Sequence, residues 1–203
     1  MTLALEGVSY RYAGARRPSL RDVELTLHQG EVVGVVGASE AGKTTLCLVA
    51  SGLAPRTVGG ELRGRLAVDD VDVADWPMHR LSEHVGIGFQ SPTTQLSGVA
   101  GTVFEEVAFG PMNLGLPRDE LLERTWSALD ALRIADLASR DPLRLSGGQQ
   151  QLVAMAGLLA MGPQHLVLDE PTAQLDPGGT RLVADAIARL VDSGASILIT
   201  EHK

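Results

Sequence analysis

The sequence predicts an α/β fold: a parallel sheet interleaved with helices, an antiparallel region at the N-terminus, and a helical segment inserted between strands. Three observations predict it. Short apolar runs at Val32 to Val36, His165 to Leu168 and Ser196 to Thr200 read as strands buried on both faces, with helical periodicities between them. Leu3, Leu5 and Val8, then Val23, Leu25 and Leu27 against Asp22, Glu24 and Thr26, repeat at period 2 with one wet face, as antiparallel strands do. From Thr102 to about Arg140 the spacing turns helical, through Leu121, Leu122, Trp126, Leu129 and Leu132.

Taken in order, the N-terminal strands are separated by a turn at Gly14 to Pro18, and His28 to Glu31 turns the chain into the Val32 to Val36 strand. Leu46, Leu48, Val49 and Leu53 follow at helical spacing, with Gly52 and Pro55 as stop signals. Leu62, Leu66, Val68 and Val71 read as another strand pair of the N-terminal sheet, and Val85, Ile87 and Phe89 as a short strand. After the helical insertion, a helix follows Gly147 and Gly148 and runs through Leu152 to Met161, and an amphipathic one spans Arg181 to Ser193.

A length of 203 residues suits one domain. Seventeen basic against 25 acidic residues give a net charge of −8, opposite to the basic footprint of a domain that wraps nucleic acid. Cys47 stands alone and reads as a small buried hydrophobe in a reducing compartment. The uncharged run from Ser146 to Leu168 is interrupted by glutamines, Gly162 and Pro163, which rules out a bilayer span. His28, His79, His84 and His165 lack a metal-ligand constellation, and Trp76 and Trp126 read as packing residues.

Gly37-Ala38-Ser39-Glu40-Ala41-Gly42-Lys43-Thr44 fits the pattern G-x-x-x-x-G-K-[ST], after an apolar strand and opening a helix. Glycines let backbone N–H groups turn around an anion, the helix N-terminus adds positive potential, and Lys43 brings a point charge. Thr44 can place its hydroxyl on Mg²⁺. This stretch points to nucleotide phosphate binding. Leu166-Val167-Leu168-Asp169-Glu170 ends a buried strand with two carboxylates, Asp169 suited to hold Mg²⁺ and Glu170 to polarise an attacking water. Leu145-Ser146-Gly147-Gly148-Gln149 places a serine and two glycines at a helix start, a second anion-binding device in the same chain. Two such devices suggest one nucleotide gripped by two subunits.

With these motifs in this order, the sequence resembles the ATP-binding subunit of ABC transporters from about Leu3 to His202. The resemblance implies a P-loop NTPase with a RecA-like parallel sheet core, an antiparallel β subdomain and an inserted helical subdomain at about residues 91–151. It further implies that Gly37, Ala38, Ser39, Glu40, Ala41, Gly42, Lys43, Thr44 and Thr45 bind ATP, and that Thr44, Gln90 and Asp169 hold Mg²⁺. Glu170 resembles the catalytic glutamate, Gln90 the glutamine that senses Mg²⁺ and water, and His202 the switch histidine at the γ-phosphate. In this resemblance Lys43 is also catalytic, supplying its charge to the outer phosphates. Ser146, Gly147, Gly148 and Gln149 resemble the signature that caps a partner's ATP, Leu175-Asp176 the neighbouring loop between subunits, and Tyr12, ahead of Tyr10, the aromatic that stacks on adenine.

A narrower resemblance lies in Phe89 to Leu96 and Thr102 to Pro117, which are similar to the ATPases of energy-coupling factor transporters, importers of vitamins and transition-metal ions. It implies a transmembrane partner subunit and a second ABC ATPase domain, whether a copy, a paralogue or a fused second half. The expected location is the cytoplasmic face of the membrane, held there by partner subunits, without nucleic acid. Ser51-Gly52-Leu53 and Gly59 to Gly64 resemble members with two fused ATPase domains. Family chains continue past the switch histidine, so a continuation beyond Lys203 is expected. The competing classes are a soluble ABC ATPase acting on DNA or ribosomes and a non-hydrolysing regulatory half of an asymmetric pair. Three departures stand out: Glu40 brings a carboxylate near the phosphates, Leu152 replaces a usual arginine, and Ser91 a frequent acidic residue.

Overall fold

Alternating apolar residues need a sheet with one covered face, and the molecule supplies it. A computed structural model describes residues 1–202. Along the chain run β1 (Thr2–Arg11), β2 (Leu20–His28), β3 (Val32–Val36), α1 (Lys43–Ala50), α2 (Leu53–Arg56), β4 (Glu61–Val68), β5 (Val71–Asp72), α3 (Met78–Ser82) and β6 (Val85–Gly88). They are followed by α4 (Val103–Asn113), α5 (Arg118–Ala131), α6 (Gly147–Met161), β7 (His165–Asp169), α7 (Pro177–Asp192) and β8 (Ser196–Glu201). The described chain divides into two compact units, one of residues 1–87, 164–169 and 194–202, the other of residues 88–163 and 170–193.

In the first unit, β1 pairs antiparallel with both β2 and β4 in a sheet of order β2-β1-β4-β5. Leu3, Leu5, Val8 and Tyr10 all point inward and are essentially inaccessible to solvent. They meet Leu46, Cys47, Val49 and Ala50 of α1, and the same cluster takes in Val167 of β7 and Leu198 of β8. α1 therefore belongs to the core of both sheets, and each buried Leu or Val there contributes about 1.5 to 3 kcal/mol. That burial holds the start of α1 fixed.

The second sheet has the order β3-β8-β7-β6, with β8 parallel to both β3 and β7. β7 and β8 are buried along most of their length, as their apolar runs imply. β3 is not. Val33 and Val35 pack on the core, whereas Val32 is 39% and Val36 61% exposed. The expectation of a strand buried on both faces is corrected here: β3 ends the order of its sheet among the described residues, and only one of its faces is covered. Four valines in a row do not report which face a neighbour covers.

The second unit is helical. Thr102 caps α4 in a capping box with Glu105, each side chain accepting from the other's backbone N–H. α6 is buried continuously from Gln150 to Ala156, because α4, α5 and α7 all pack on it. A Cβ on Gly110 of α4 would lie 2.8 Å from the Met161 side chain, so these helices approach closely. α7 begins at Pro177, four residues before the apolar periodicity, because Asp176 accepts a hydrogen bond from the Gly179 N–H at 2.6 Å and Pro177 occupies the first helical position.

Candidate functional site

β3 delivers the chain into the Gly37 to Gly42 loop, and α1 begins directly after it. Gly42 is the N-cap of α1 at φ 93°, where a side chain would be strained, and a Cβ there would sit 2.8 Å from the Ser19 carbonyl oxygen. No side chain caps α1, and its first turn carries no acidic residue. Lys43 is nearly buried, and its Nζ donates to the carbonyls of Gly37 at 2.9 Å and Ala38 at 2.8 Å. The ammonium thus bends back across the loop. Ala38, Ser39, Glu40 and Ala41 are exposed, and Glu40 adopts a left-handed φ of 63°.

Thr44 is exposed beside Lys43, while Thr45 is buried and lies 3.0 Å from the Tyr12 hydroxyl. Tyr12 is half-buried, and Tyr10 meets it edge to face from within the core. Burial removes Tyr10 from contact with any ligand, which leaves Tyr12 as the aromatic at this end of α1.

Strand register gathers further residues at one edge. Val36 lies opposite Glu201, and Asp169 opposite Thr200, so the loop after β3, His202 after β8, and Asp169 all sit at carboxyl ends of parallel strands. His202 is exposed. Asp169 is 3% exposed and accepts a hydrogen bond from the Thr200 hydroxyl at 2.9 Å. Behind it the Cys47 thiol approaches that hydroxyl at 3.9 Å. Cys47 is buried as expected, but the role of Thr200 in orienting the carboxylate has no motif to announce it.

In the second unit, Gln90 Nε2 donates to Glu170 Oε2 at 3.4 Å. Glu170 is nearly buried and has a φ of 46°, a strained conformation for a residue with a side chain. Ser146 and Gln149 form a capping box at the start of α6, with Gln149 N–H donating to Ser146 Oγ at 3.4 Å and Ser146 N–H to Gln149 Oε1 at 3.1 Å. Ser146 and Gly147 are exposed and Gly148 is buried. A Cβ on Gly148 would lie 2.5 Å from Cα of Gly179, so this glycine is required by the crossing of α6 and α7. Leu152, in the place of the usual arginine, is 3% exposed and belongs to the core of this unit.

An uncapped helix behind a lysine-bearing loop, with the Asp169 carboxylate at a strand end of the same sheet, suits a nucleotide and its phosphates. Residues 20–173 match the ABC transporter family. The chain belongs to that family. A provisionally assigned ABC transporter ATP-binding protein of Pyrococcus horikoshii is 42% identical over 98% of this chain and 70% of its own length. One from Methanosarcina mazei is 41% identical over 98% of this chain but 33% of its own length. Among solved structures, cbiO1 of Clostridium perfringens, described as part of the ABC transporter complex cbiONQ, aligns with a TM-score of 0.84 at 33% identity. That alignment covers 99% of this chain and 78% of the other. The chain is thus an ABC ATP-binding, ATP-hydrolysing subunit of a transporter, with the α/β fold expected. No helix among the described residues is long and apolar enough to cross a membrane.

Proposed function

We propose that residues 1–203 form one ABC ATP-binding domain, with its helical subdomain at about residues 91–151, that energises an energy-coupling factor importer of a vitamin or transition-metal ion. The likeness to cbiO1 along nearly the whole chain supports this reading most. The Phe89 to Leu96 and Thr102 to Pro117 segments add to it. The domain works at the cytoplasmic face of the membrane, held by a transmembrane subunit, and pairs head to tail with a second ABC ATPase domain. The net charge of −8 speaks against nucleic acid as a partner.

In this reading the backbone of Gly37 to Gly42 and the start of α1 receive the ATP phosphates, and Lys43 transfers its ammonium from the Gly37 and Ala38 carbonyls to them. Tyr12 stacks on adenine. Thr44, Asp169 and Gln90 would hold Mg²⁺, since hydroxyl, carboxylate and amide oxygens are the hard donors it takes, and the ion neutralises charge on the phosphates when bound. Glu170 accepts a proton from water as the water oxygen bonds to the γ-phosphorus, and the electron pair of the broken P–O bond leaves with ADP. Gln90 orients that water from its place on Glu170, and His202 contacts the γ-phosphate. Ser146, Gly147, Gly148 and Gln149 cap the ATP held by the partner domain. Having Glu170, Gln90 and His202 together favours hydrolysis over a regulatory, non-hydrolysing role.

The test is to purify the full-length protein from its own membranes in mild detergent and identify its companions by mass spectrometry. A multi-span protein together with a small substrate-binding membrane protein is expected. Recovery with ribosomal or DNA-associated partners from the soluble fraction would overturn the transport reading.

A further inference from the structure

Gln151 sits where an apolar residue would be cheaper. It lies within the continuously buried stretch of α6, is 1% exposed, and its Oε1 is buried with no hydrogen-bond partner. A buried amide left half satisfied carries a desolvation cost of about 1 to 3 kcal/mol. Its other end is used: Nε2 donates to the Phe89 carbonyl at 3.3 Å. The N–H of the same Phe89 donates to Gln95 Oε1 at 3.1 Å, so two glutamine side chains hold this residue. Phe89 is bonded directly to Gln90, whose amide reaches Glu170 only at a long 3.4 Å. A contact at that length is sensitive to small shifts of the backbone that carries it.

The other end of the path is the N-terminus of α6. Ser146 caps the helix, and Gln151 follows five residues later, about 7.5 Å along the axis of a single rigid helix. Gln150 fastens the same helix to the preceding turn by donating to the Pro142 carbonyl at 3.1 Å. All of these residues belong to one compact unit. The Gln151 amide therefore joins the helix that begins at Ser146 to the backbone that carries Gln90.

We infer that Gln151 is a positioning residue for ATP hydrolysis: by holding the Phe89 carbonyl it keeps Gln90 on Glu170 and ties the signature helix to the catalytic carboxylate of the same chain. This rests on the reading of Glu170 as the base. Gln151→Met preserves length and volume while removing the donor together with the orphaned acceptor. A purely structural role predicts a change in stability with unchanged chemistry. The positioning role predicts a melting temperature that is unchanged or higher, an ATP dissociation constant within about twofold, and kcat reduced about tenfold, since small misplacements of reacting groups carry losses of that order. In the double variant Gln90→Ala/Gln151→Met the losses should not add, because both act through one contact.

These measurements use the full protein with its partner domain and include Gln151→Leu in case the methionine variant does not fold. Unchanged kcat in Gln151→Met or Gln151→Leu, with Glu170→Gln inactive, would overturn the role of Gln151 alone. Additive losses in the double variant would break its link to Gln90. Full turnover in Glu170→Gln would instead remove the assigned base, and the proposal with it.

Discussion

Two helices of this chain begin with glycine-rich motifs assigned to anion binding, and they are built in opposite ways. α1 starts at a left-handed Gly42, with no side-chain cap, behind a loop whose carbonyls hold the Lys43 ammonium. α6 starts at Ser146, whose hydroxyl and Gln149 partner close a capping box. The positive end of α1 is not met by any side chain of its own, so a phosphate gains its full interaction there. At α6 part of that interaction is already made internally. A ligand must share or displace the Ser146 hydroxyl, so α6 suits a contact made late and released easily, whereas α1 suits the standing grip on the nucleotide.

The largest expected effect comes from the open end. Lys43→Ala removes two charge-assisted hydrogen bonds within the loop and the charge offered to the phosphates. ATP affinity should fall on the order of a hundredfold, about 3 kcal/mol, by calorimetry. An unchanged dissociation constant would erase the contrast between the two helices. Next is Gly148→Ala, whose Cβ would meet Gly179 Cα at 2.5 Å. Overpacking of this kind should lower unfolding stability by about 2 to 3 kcal/mol in denaturant titration, and full stability would show that α6 and α7 can part freely.

The smallest effect sharpens the comparison most. Ser146→Ala should lose about 1 kcal/mol of stability with the cap, whereas Ser146→Asp, an equally good cap, should keep it. The aspartate places a carboxylate where a phosphate is to be received, so turnover should nevertheless fall in Ser146→Asp. If the aspartate variant hydrolysed ATP at the original rate, Ser146 would be a helix cap and nothing more.

Much of this was legible beforehand. The phosphate loop, the paired carboxylates and the signature are local patterns, because each needs a few neighbouring residues of fixed type on one strand end or helix start. Other features were hidden. The apolar periodicity starts the helix at Arg181, yet Asp176 and Pro177 start it four residues earlier. Val32 and Val36 read as buried, yet a residue's exposure depends on neighbours that its own run does not encode. Thr200 and Gln151 carried no motif, since their partners Asp169 and Phe89 lie 31 and 62 residues away.

The sequence by itself determined the alternation of strands and helices and the family, and it named the residues proposed to receive phosphate. These depend on periodicity and short-range geometry, which the chain states residue by residue. Only the tertiary structure decided which face of β3 is covered, that Tyr10 is wholly buried beside Tyr12, that Gly148 is required by the crossing with Gly179, and that Gln90 meets Glu170. Each of those depends on the distance between segments remote in sequence, and packing sets that distance where no local pattern can.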